Sequence, residues 1–138
     1  MISTRGRYAL RVMADLAEHN PAGVVPLSEI AERQGISIKY LEIILKNLVK
    51  SGMLEGHRGK GGGYRLTRLP EDYSVGEILE LTEGAISAVA CLAPGAKACP
   101  HKGQCRTLPM WKRFDDMVHG FFFGITLKDL IEDAATEV

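Results

Sequence analysis

The feature that most constrains the fold of this chain is a run of two short helix patterns followed by a glycine-rich hairpin pattern. Residues 27–34 have an amphipathic pattern that ends at Gly35, and a second pattern over 38–51 begins after Ser37, a residue type that caps helices. Two short alternating segments then flank the tip 59–63, which holds four glycines and one lysine. This order is typical of a winged helix-turn-helix.

The rest of the chain is helical in pattern except for one long loop. An apolar stripe over 5–19 predicts a first helix, and Ser74 with Glu77 forms a capping box that opens another. Residues 84–106 are rich in Gly, Ala and Pro and predict a loop, whereas a long helix is expected from about Thr107. We therefore expect a mainly α fold with a small β-hairpin wing.

Three regions follow from these patterns. We expect a winged helix-turn-helix DNA-binding domain at 1–82, a cysteine loop for cluster binding at 83–106, and a dimerisation helix with a short C-terminal helix at 107–138. The composition, 46% hydrophobic and 25% charged, excludes general disorder. No apolar run approaches the ~20 residues that span a bilayer. The start of the chain lacks the layout of a signal peptide, so we expect a cytoplasmic protein without a membrane partner.

The zero net charge hides an uneven distribution. Residues 1–68 hold eleven basic and six acidic side chains, and 69–138 hold the reverse. Between 39 and 68 there are seven Lys or Arg against two Asp or Glu. A basic half of this kind predicts binding to a polyanion, here double-stranded DNA.

Candidate DNA-binding residues lie on the third helix and on the hairpin. The early turns of the third helix are where side chains reach base edges, and basic side chains on the hairpin meet phosphates or the minor groove. The alternatives are that Tyr40 packs under the turn, that Glu42 only pairs with Lys46, and that the tip is a flexible turn without a ligand. The candidate set is Ser37, Lys39, Tyr40, Glu42, Lys46, Arg58, Lys60 and Arg65.

All three cysteines lie within fifteen residues. Cys91, Cys99 and Cys105 are separated by seven and five residues, wider than the spacing of a structural zinc knuckle. Thiolates are soft ligands that suit iron–sulfur clusters, zinc or copper(I). Their clustering predicts a metal site that holds an iron–sulfur cluster (2Fe–2S or 4Fe–4S) with one position unfilled. His101 is the nearest further ligand, although a solvent-exposed loop histidine is the alternative for it.

The predicted long helix carries more apolar side chains than one small domain buries. Its large apolar residues cover more than the single stripe of a surface helix, so we expect a partner helix and a homodimer. The alternative is a buried core helix. These apolar residues are Met110, Trp111, Phe114, Met117, Val118, Phe121 and Phe122.

Four motifs together resemble the Rrf2 family of bacterial winged-helix transcription regulators, and within it the iron–sulfur-cluster regulators. They are the stretches 4–9 (TRGRYA), 30–37 (IAERQGIS), 40–42 (YLE) and 58–64 (RGKGGGY). The resemblance covers nearly the whole chain. It implies a homodimer that crosses or swaps its long helix, binds a near-palindromic operator and senses cluster status.

The resemblance also assigns individual roles. It implies that Glu42 tunes operator choice and that Arg58 is the wing arginine. Cluster regulators of this family carry a histidine three residues after the third cysteine, where this chain has Leu108. Nitric-oxide-sensing relatives use an N-terminal acidic residue, and the matching region here is Arg7 and Tyr8. The fourth ligand and the signal therefore stay open.

Two alternatives remain for the function. Within regulation, the chain is a cluster-free or zinc-bound winged-helix repressor. In a different class, it is a small iron–sulfur carrier or electron-transfer protein, although such a protein needs no basic wing. An enzyme is not expected, because the sequence has no nucleophile–base constellation, carboxylate pair or cofactor-binding pattern.

Overall fold

The computed structural model describes residues 2–101 and 103–136. Met1, Lys102 and residues 137–138, which belong to the predicted regions, lie outside the described residues. Short 3₁₀ turns at Pro70–Asp72 and Ala90–Leu92 interrupt the connections. The helices and strands are α1 (Thr4–His19), α2 (Leu27–Gln34), α3 (Ile38–Lys50), β1 (Leu54–His57), β2 (Gly63–Leu66), α4 (Val75–Glu83), α5 (Leu108–Phe123) and α6 (Leu127–Thr136). The mainly α fold with one β-hairpin is confirmed.

The predicted caps set the helix boundaries. Gly35 has a left-handed backbone (φ 64°) that ends α2 and turns the chain into α3. Ser37 caps α3 by accepting a hydrogen bond from the backbone N–H of Tyr40 at 3.2 Å. Ser74 and Glu77 form the expected capping box at the start of α4. Local chemistry therefore fixes the turn between the two helices of the helix-turn-helix.

One main core joins α1, α2, α3 and the hairpin. The predicted stripe of α1 is fully or almost fully buried, as is the inner face of α3. Apolar burial of this extent is the main stabilising contribution to a domain of this size. The buried residues of these two helices are Ala9, Val12, Met13, Leu16, Ala17, Leu41, Ile44, Leu45 and Leu48.

An ion pair between buried Asp15 and partly exposed Arg33, absent from the predictions, links α1 to α2. Asp15 accepts hydrogen bonds from Arg33 at 2.7 and 3.0 Å and from the Gln34 side chain at 2.7 Å. Burial alone would raise the pKa of Asp15, but the hydrogen bonds from Arg33 and Gln34 outweigh it and hold the pKa below its ordinary value. The pair fixes how the first helix of the motif sits on α1.

The hairpin is held at its base by a buried tyrosine. The Tyr73 hydroxyl donates to the Met53 carbonyl at 2.8 Å and accepts from the backbone N–H groups of Thr67 and Arg68. The strands pair antiparallel from Leu54 with Leu66 to His57 with Gly63. The wing therefore leaves the core at a fixed position beside α3.

A second, smaller cluster joins α4 to α5. Val75, Leu79 and Ile86 are buried there, with half-buried Val118 and Phe122 of α5 against them. Gly76 permits this contact, because a Cβ atom at that position would overlap the Phe123 ring. The chain then turns back, and α6 packs on α1 with Leu127 in the main core. The boundaries at 82/83 and 106/107 stay predictions. Among the described residues, no helix is long and apolar enough to cross a membrane.

Candidate DNA-binding face and cysteine site

The outward face of α3 carries most of the predicted base-reading residues. Lys39, Glu42 and Lys46 are all exposed, and they lie opposite the buried face of the helix. Within the described part of the chain, Glu42 forms no ion pair, so the proposed alternative of a Glu42–Lys46 pair is not observed. The Glu42 carboxylate is therefore available to an external donor such as a cytosine amino group.

A groove of about 580 Å³ separates α3 from the wing. Lys46 lines it from α3, and Arg58, Gly62 and Gly63 line it from the wing. Lys60 is exposed at the tip of the hairpin. The structure thus brings cations from the helix and from the wing to a single surface, as phosphate binding on both sides of a groove requires.

Arg65 is held differently from the other wing cations. The Arg65 side chain is half-buried. Its guanidinium forms a salt bridge with Glu55, which lies directly opposite on β1. This hydrogen bond lowers the pKa of Glu55. Arg65 therefore has an internal partner, and its predicted DNA contact requires that it also reach past Glu55.

Tyr40 packs against the core, as one of the two alternatives proposed, and its contact with DNA stays a prediction. The side chain is half-buried, and its ring meets the Tyr8 ring edge to face with centroids 5.7 Å apart. It also lines a groove of about 510 Å³ with Arg5, at the start of α1. The sequence analysis gave Arg5 no role, because its approach to α3 arises only from the packing of α1.

The three cysteines line one cavity of about 300 Å³. Cys91 lies on the 3₁₀ turn, Cys99 in the loop and Cys105 just before α5. All three are free thiols in the structure. Residues fourteen positions apart thus line one cavity, and the metal site that their clustering predicts stays a prediction.

The donor set of this cavity fits an iron–sulfur cluster. Thiolates are the ligand type that such clusters take, and among the described residues that line the cavity none is an Asp or Glu that would favour a hard cation. Among residues 2–101 and 103–136, no three His, Cys, Asp or Glu side chains are close enough to hold one metal ion. Cluster ligands bind different iron atoms, so they need not converge on one point.

The remaining wall of the cavity is apolar and basic. Leu108, three residues after Cys105, lines the cavity without a donor atom. Lys97 and Lys112 also line it, which the sequence analysis did not predict. His101 is exposed and does not line this cavity. The Thr107 hydroxyl, 3.4 Å from Cys105 Sγ, lowers the pKa of the Cys105 thiol and favours the thiolate that binds metals.

The cysteine loop is tied to α5 at its beginning. Asp115 of α5 accepts a hydrogen bond from the backbone N–H of Ala88 at 2.7 Å, and Ile86 is buried in the second cluster. Among the described residues between Ala88 and Thr107, the backbone–backbone hydrogen bonds join residues three positions apart, such as the Leu92 N–H and the Val89 carbonyl at 3.1 Å. The segment that holds the cysteines is therefore attached to α5 through the hydrogen bond between Ala88 and Asp115.

The long helix exposes a continuous apolar stripe. Met110, Phe114, Met117 and Phe121 are 39–68% exposed, and their spacing of four, three and four residues places them on one side of α5. In the described chain, no residue of α5 is fully buried. The adjoining side, with Val118 and Phe122, faces the second cluster.

Comparisons with known proteins agree with this arrangement. Residues 2–133 match the Rrf2 family, described as iron-dependent transcriptional regulators. The transcriptional regulator IscR of Aliivibrio salmonicida is 37% identical over 132 residues, which are 96% of this chain and 77% of the relative. IscR of Escherichia coli is also 37% identical, over 96% of this chain and 80% of the relative.

Solved structures share the whole fold. CymR of B. subtilis, described as a global cysteine regulator, superposes with a TM-score of 0.78 at 34% identity, covering 96% of each chain. IscR of T. potens gives a TM-score of 0.77 at 35% identity, covering 97% of this chain and 88% of the other. The helix-turn-helix, the wing, the loop and α5 all lie within these matched lengths.

Proposed function

Because the chain belongs to the Rrf2 family of transcriptional regulators, a family of DNA-binding proteins rather than enzymes, we propose that it is a homodimeric, cluster-sensing regulator of this kind. It binds a duplex operator through α3 and the wing, acting in the cytoplasm where such operators are. Its affinity or choice of operator responds to an iron–sulfur cluster held by Cys91, Cys99 and Cys105. The observation that carries the cluster reading is the shared cavity of the three thiols.

The stripe on α5 supports the homodimer. A heptad-like spacing of large apolar side chains is the pattern of a helix that packs along a second helix. Leaving four such side chains in water is unfavourable by the usual measure of ~25 cal/mol per Å² of apolar surface. A second copy of α5 covers the stripe and places two recognition helices on one duplex, as a near-palindromic operator requires.

The chain's own residues contribute to cluster binding in three ways. The three thiols supply the protein ligands, and Thr107 favours the thiolate form of Cys105. Lys97 and Lys112 place positive charge beside an anionic thiolate set. The cluster, when bound, would supply a redox-active group whose presence depends on cluster supply. Because none of the cavity residues completes a fourth ligand, that position belongs to an exogenous ligand, a partner-chain residue or a rearranged His101.

The absorption spectrum of anaerobically purified protein tests the proposal. We expect visible absorbance bands together with iron and acid-labile sulfide in the protein, and we expect Cys99→Ala to lose both. His101→Ala distinguishes the fourth-ligand alternatives, because it changes the spectrum only if His101 binds the cluster. Wild-type protein that is colourless and holds neither iron nor sulfide after anaerobic purification contradicts cluster sensing.

A cluster-free regulator is the second candidate, and one observation favours it. The lowered pKa of Cys105 makes that thiol more reactive towards oxidants as well as towards metals. An oxidised form is among the solved structures of Staphylococcus aureus CymR, which is 34% identical to this chain with a TM-score of 0.71. Zinc without sulfide, or a Cys105 sulfenic acid trapped in colourless protein, supports this candidate over a cluster.

A further inference from the structure

The outward face of α3 carries an apolar side chain that the fold does not use. Ile43 is 52% exposed and belongs to neither hydrophobic cluster of the described residues. Lys39 precedes it by four residues and Lys46 follows it by three, so both lie beside it on the helix surface. An isoleucine thus lies at the edge of the charged face that the proposed function turns towards DNA, beside both lysines.

Its position decides between local packing and an external contact. The buried residues Leu41, Leu45 and Leu48 lie on the opposite side of α3, so Ile43 cannot join the core without a rotation of the whole helix. The other exposed isoleucine, Ile38, is the first residue of α3 and lies at the opposite edge of this face. A single exposed isoleucine is common on protein surfaces, but here it projects where base edges are read.

The major groove offers one apolar feature to such a side chain. Thymine carries a 5-methyl group there, whereas guanine, adenine and cytosine present only hydrogen-bond donors and acceptors. Isoleucine has no donor or acceptor and is stiff at χ1, so it reads shape and apolar surface only. Lys39 and Lys46 instead contact acceptors or phosphates, and Glu42 contacts a donor.

We infer that Ile43 contacts the 5-methyl group of a thymine in each half-site and thereby selects T·A at that position. The inference rests on the proposed binding of DNA by α3. It adds an apolar, specificity-determining contact to the face that carries Lys39, Glu42 and Lys46. Removal of water from about one methyl group and part of the Ile43 side chain supplies the selectivity.

Deoxyuridine substitution tests the contact directly, because it removes only the methyl group of a thymine. A randomised duplex library is first selected with wild-type protein, and each thymine of the enriched duplex is then replaced in turn by deoxyuridine. We expect wild-type affinity to fall about fourfold for one methyl group at one thymine of each half-site. Ile43→Ala is expected to bind the thymine duplex more weakly and to show no further loss with deoxyuridine at that position.

Two matched variants separate this contact from general weakening. Ile38→Ala removes the same side chain from the same helix and is expected to keep the wild-type response to deoxyuridine. Lys39→Ala is expected to lower affinity for both duplexes equally. Circular dichroism melting of all three variants confirms that they fold, which their exposure favours.

The outcomes against the inference are distinct from failure of the proposed function. If wild type enriches a duplex and is indifferent to deoxyuridine at every position, or if Ile43→Ala keeps the full deoxyuridine loss, the methyl contact is wrong while DNA binding stands. If Ile38→Ala instead abolishes the loss of affinity with deoxyuridine, the methyl contact belongs to Ile38 and the inference is overturned. A wild type that enriches no sequence overturns both the proposed function and this inference.

Discussion

At the scale of single residues, Asp15 is a buried charge whose contribution to stability depends on its partners. Its side chain is fully buried, whereas Arg33 keeps 30% of its side chain exposed. A carboxylate in this position is stabilising only while it is ionised and hydrogen-bonded. The pair therefore links the stability of the helix-turn-helix to pH.

We expect Asp15→Asn to lower the free energy of unfolding by ~2 kcal/mol at neutral pH, since it removes the charge-assisted hydrogen bonds to Arg33. The folded-state pKa of Asp15 is lowered, so its stabilisation is present above the ordinary aspartate pKa and is lost as the pH falls through the lowered value. Urea unfolding at about pH 7 and about pH 3 measures the difference, which should shrink in acid.

Glu29 provides the matched control for this prediction. It contacts the same Arg33 at 3.7 Å, but its side chain is 56% exposed. Glu29→Gln is therefore expected to cost no more than ~0.5 kcal/mol at either pH. Equal losses for the Asp15 and Glu29 variants would show that burial does not govern this cluster.

Glu42 and Lys60 are expected to affect DNA binding in different ways. Glu42→Ala should broaden sequence preference, because an exposed carboxylate without an internal partner is free to read a base. Lys60→Ala at the wing tip should weaken all sequences alike and reduce the slope of log affinity against log salt by about one. Competition binding on a duplex panel at several salt concentrations checks both. An unchanged preference for Glu42→Ala would remove base reading from this face.

At the scale of elements, α5 has two sides with different tasks. One side joins the second cluster and holds the cysteine loop through Asp115, and the other presents the apolar stripe. The proposed dimer contact and the loop anchor thus lie on the same helix. A change in the loop can reach the dimer interface through one helix without any long chain of contacts.

We expect Phe114→Asp to convert the dimer to monomer or aggregate, because the new carboxylate would lie in the centre of the stripe. Asp116→Asn is the control, since Asp116 is exposed on α5 away from both the stripe and the second cluster. Sedimentation velocity compares the two variants with wild type. A wild type that sediments as a well-folded monomer contradicts the dimer.

At the scale of the whole molecule, the cysteine site lies between the anchored start of the loop and the start of α5. In the proposed mechanism, a cluster bound by Cys91 and Cys105 would join these two points and would thereby restrict α5 relative to the DNA-binding core. Two recognition helices fit successive half-sites only at a separation of about 34–36 Å. A ligand that favours one dimer geometry therefore changes operator affinity.

We expect cluster-loaded and apo protein to differ at least fivefold in affinity for at least one operator duplex, the usual lower limit of allosteric coupling. Cys99→Ala should behave as the apo form while remaining folded and dimeric. Fluorescence anisotropy with both forms on the same duplexes checks this. Equal affinity of the two forms on every duplex would make the cluster a structural element only.

The sequence by itself determined the elements and much of the chemistry. The glycine at 35, the caps Ser37 and Ser74 and the apolar stripe of α1 depend on local geometry and periodicity, which a sequence displays directly. The clustering of the cysteines likewise indicated one site, and the structure places all three around one cavity. Family membership followed from motifs in these same segments.

Tertiary structure alone decided which groups meet across elements. The contacts of Asp15 with Arg33, Arg65 with Glu55 and Asp115 with Ala88 join residues ten or more positions apart. No local propensity reports such pairs, because they depend on how helices and strands pack against each other. The same packing left Ile43 exposed beside the lysines of α3 and brought Lys97 and Lys112 to the thiols, since side-chain surroundings are set by the whole fold.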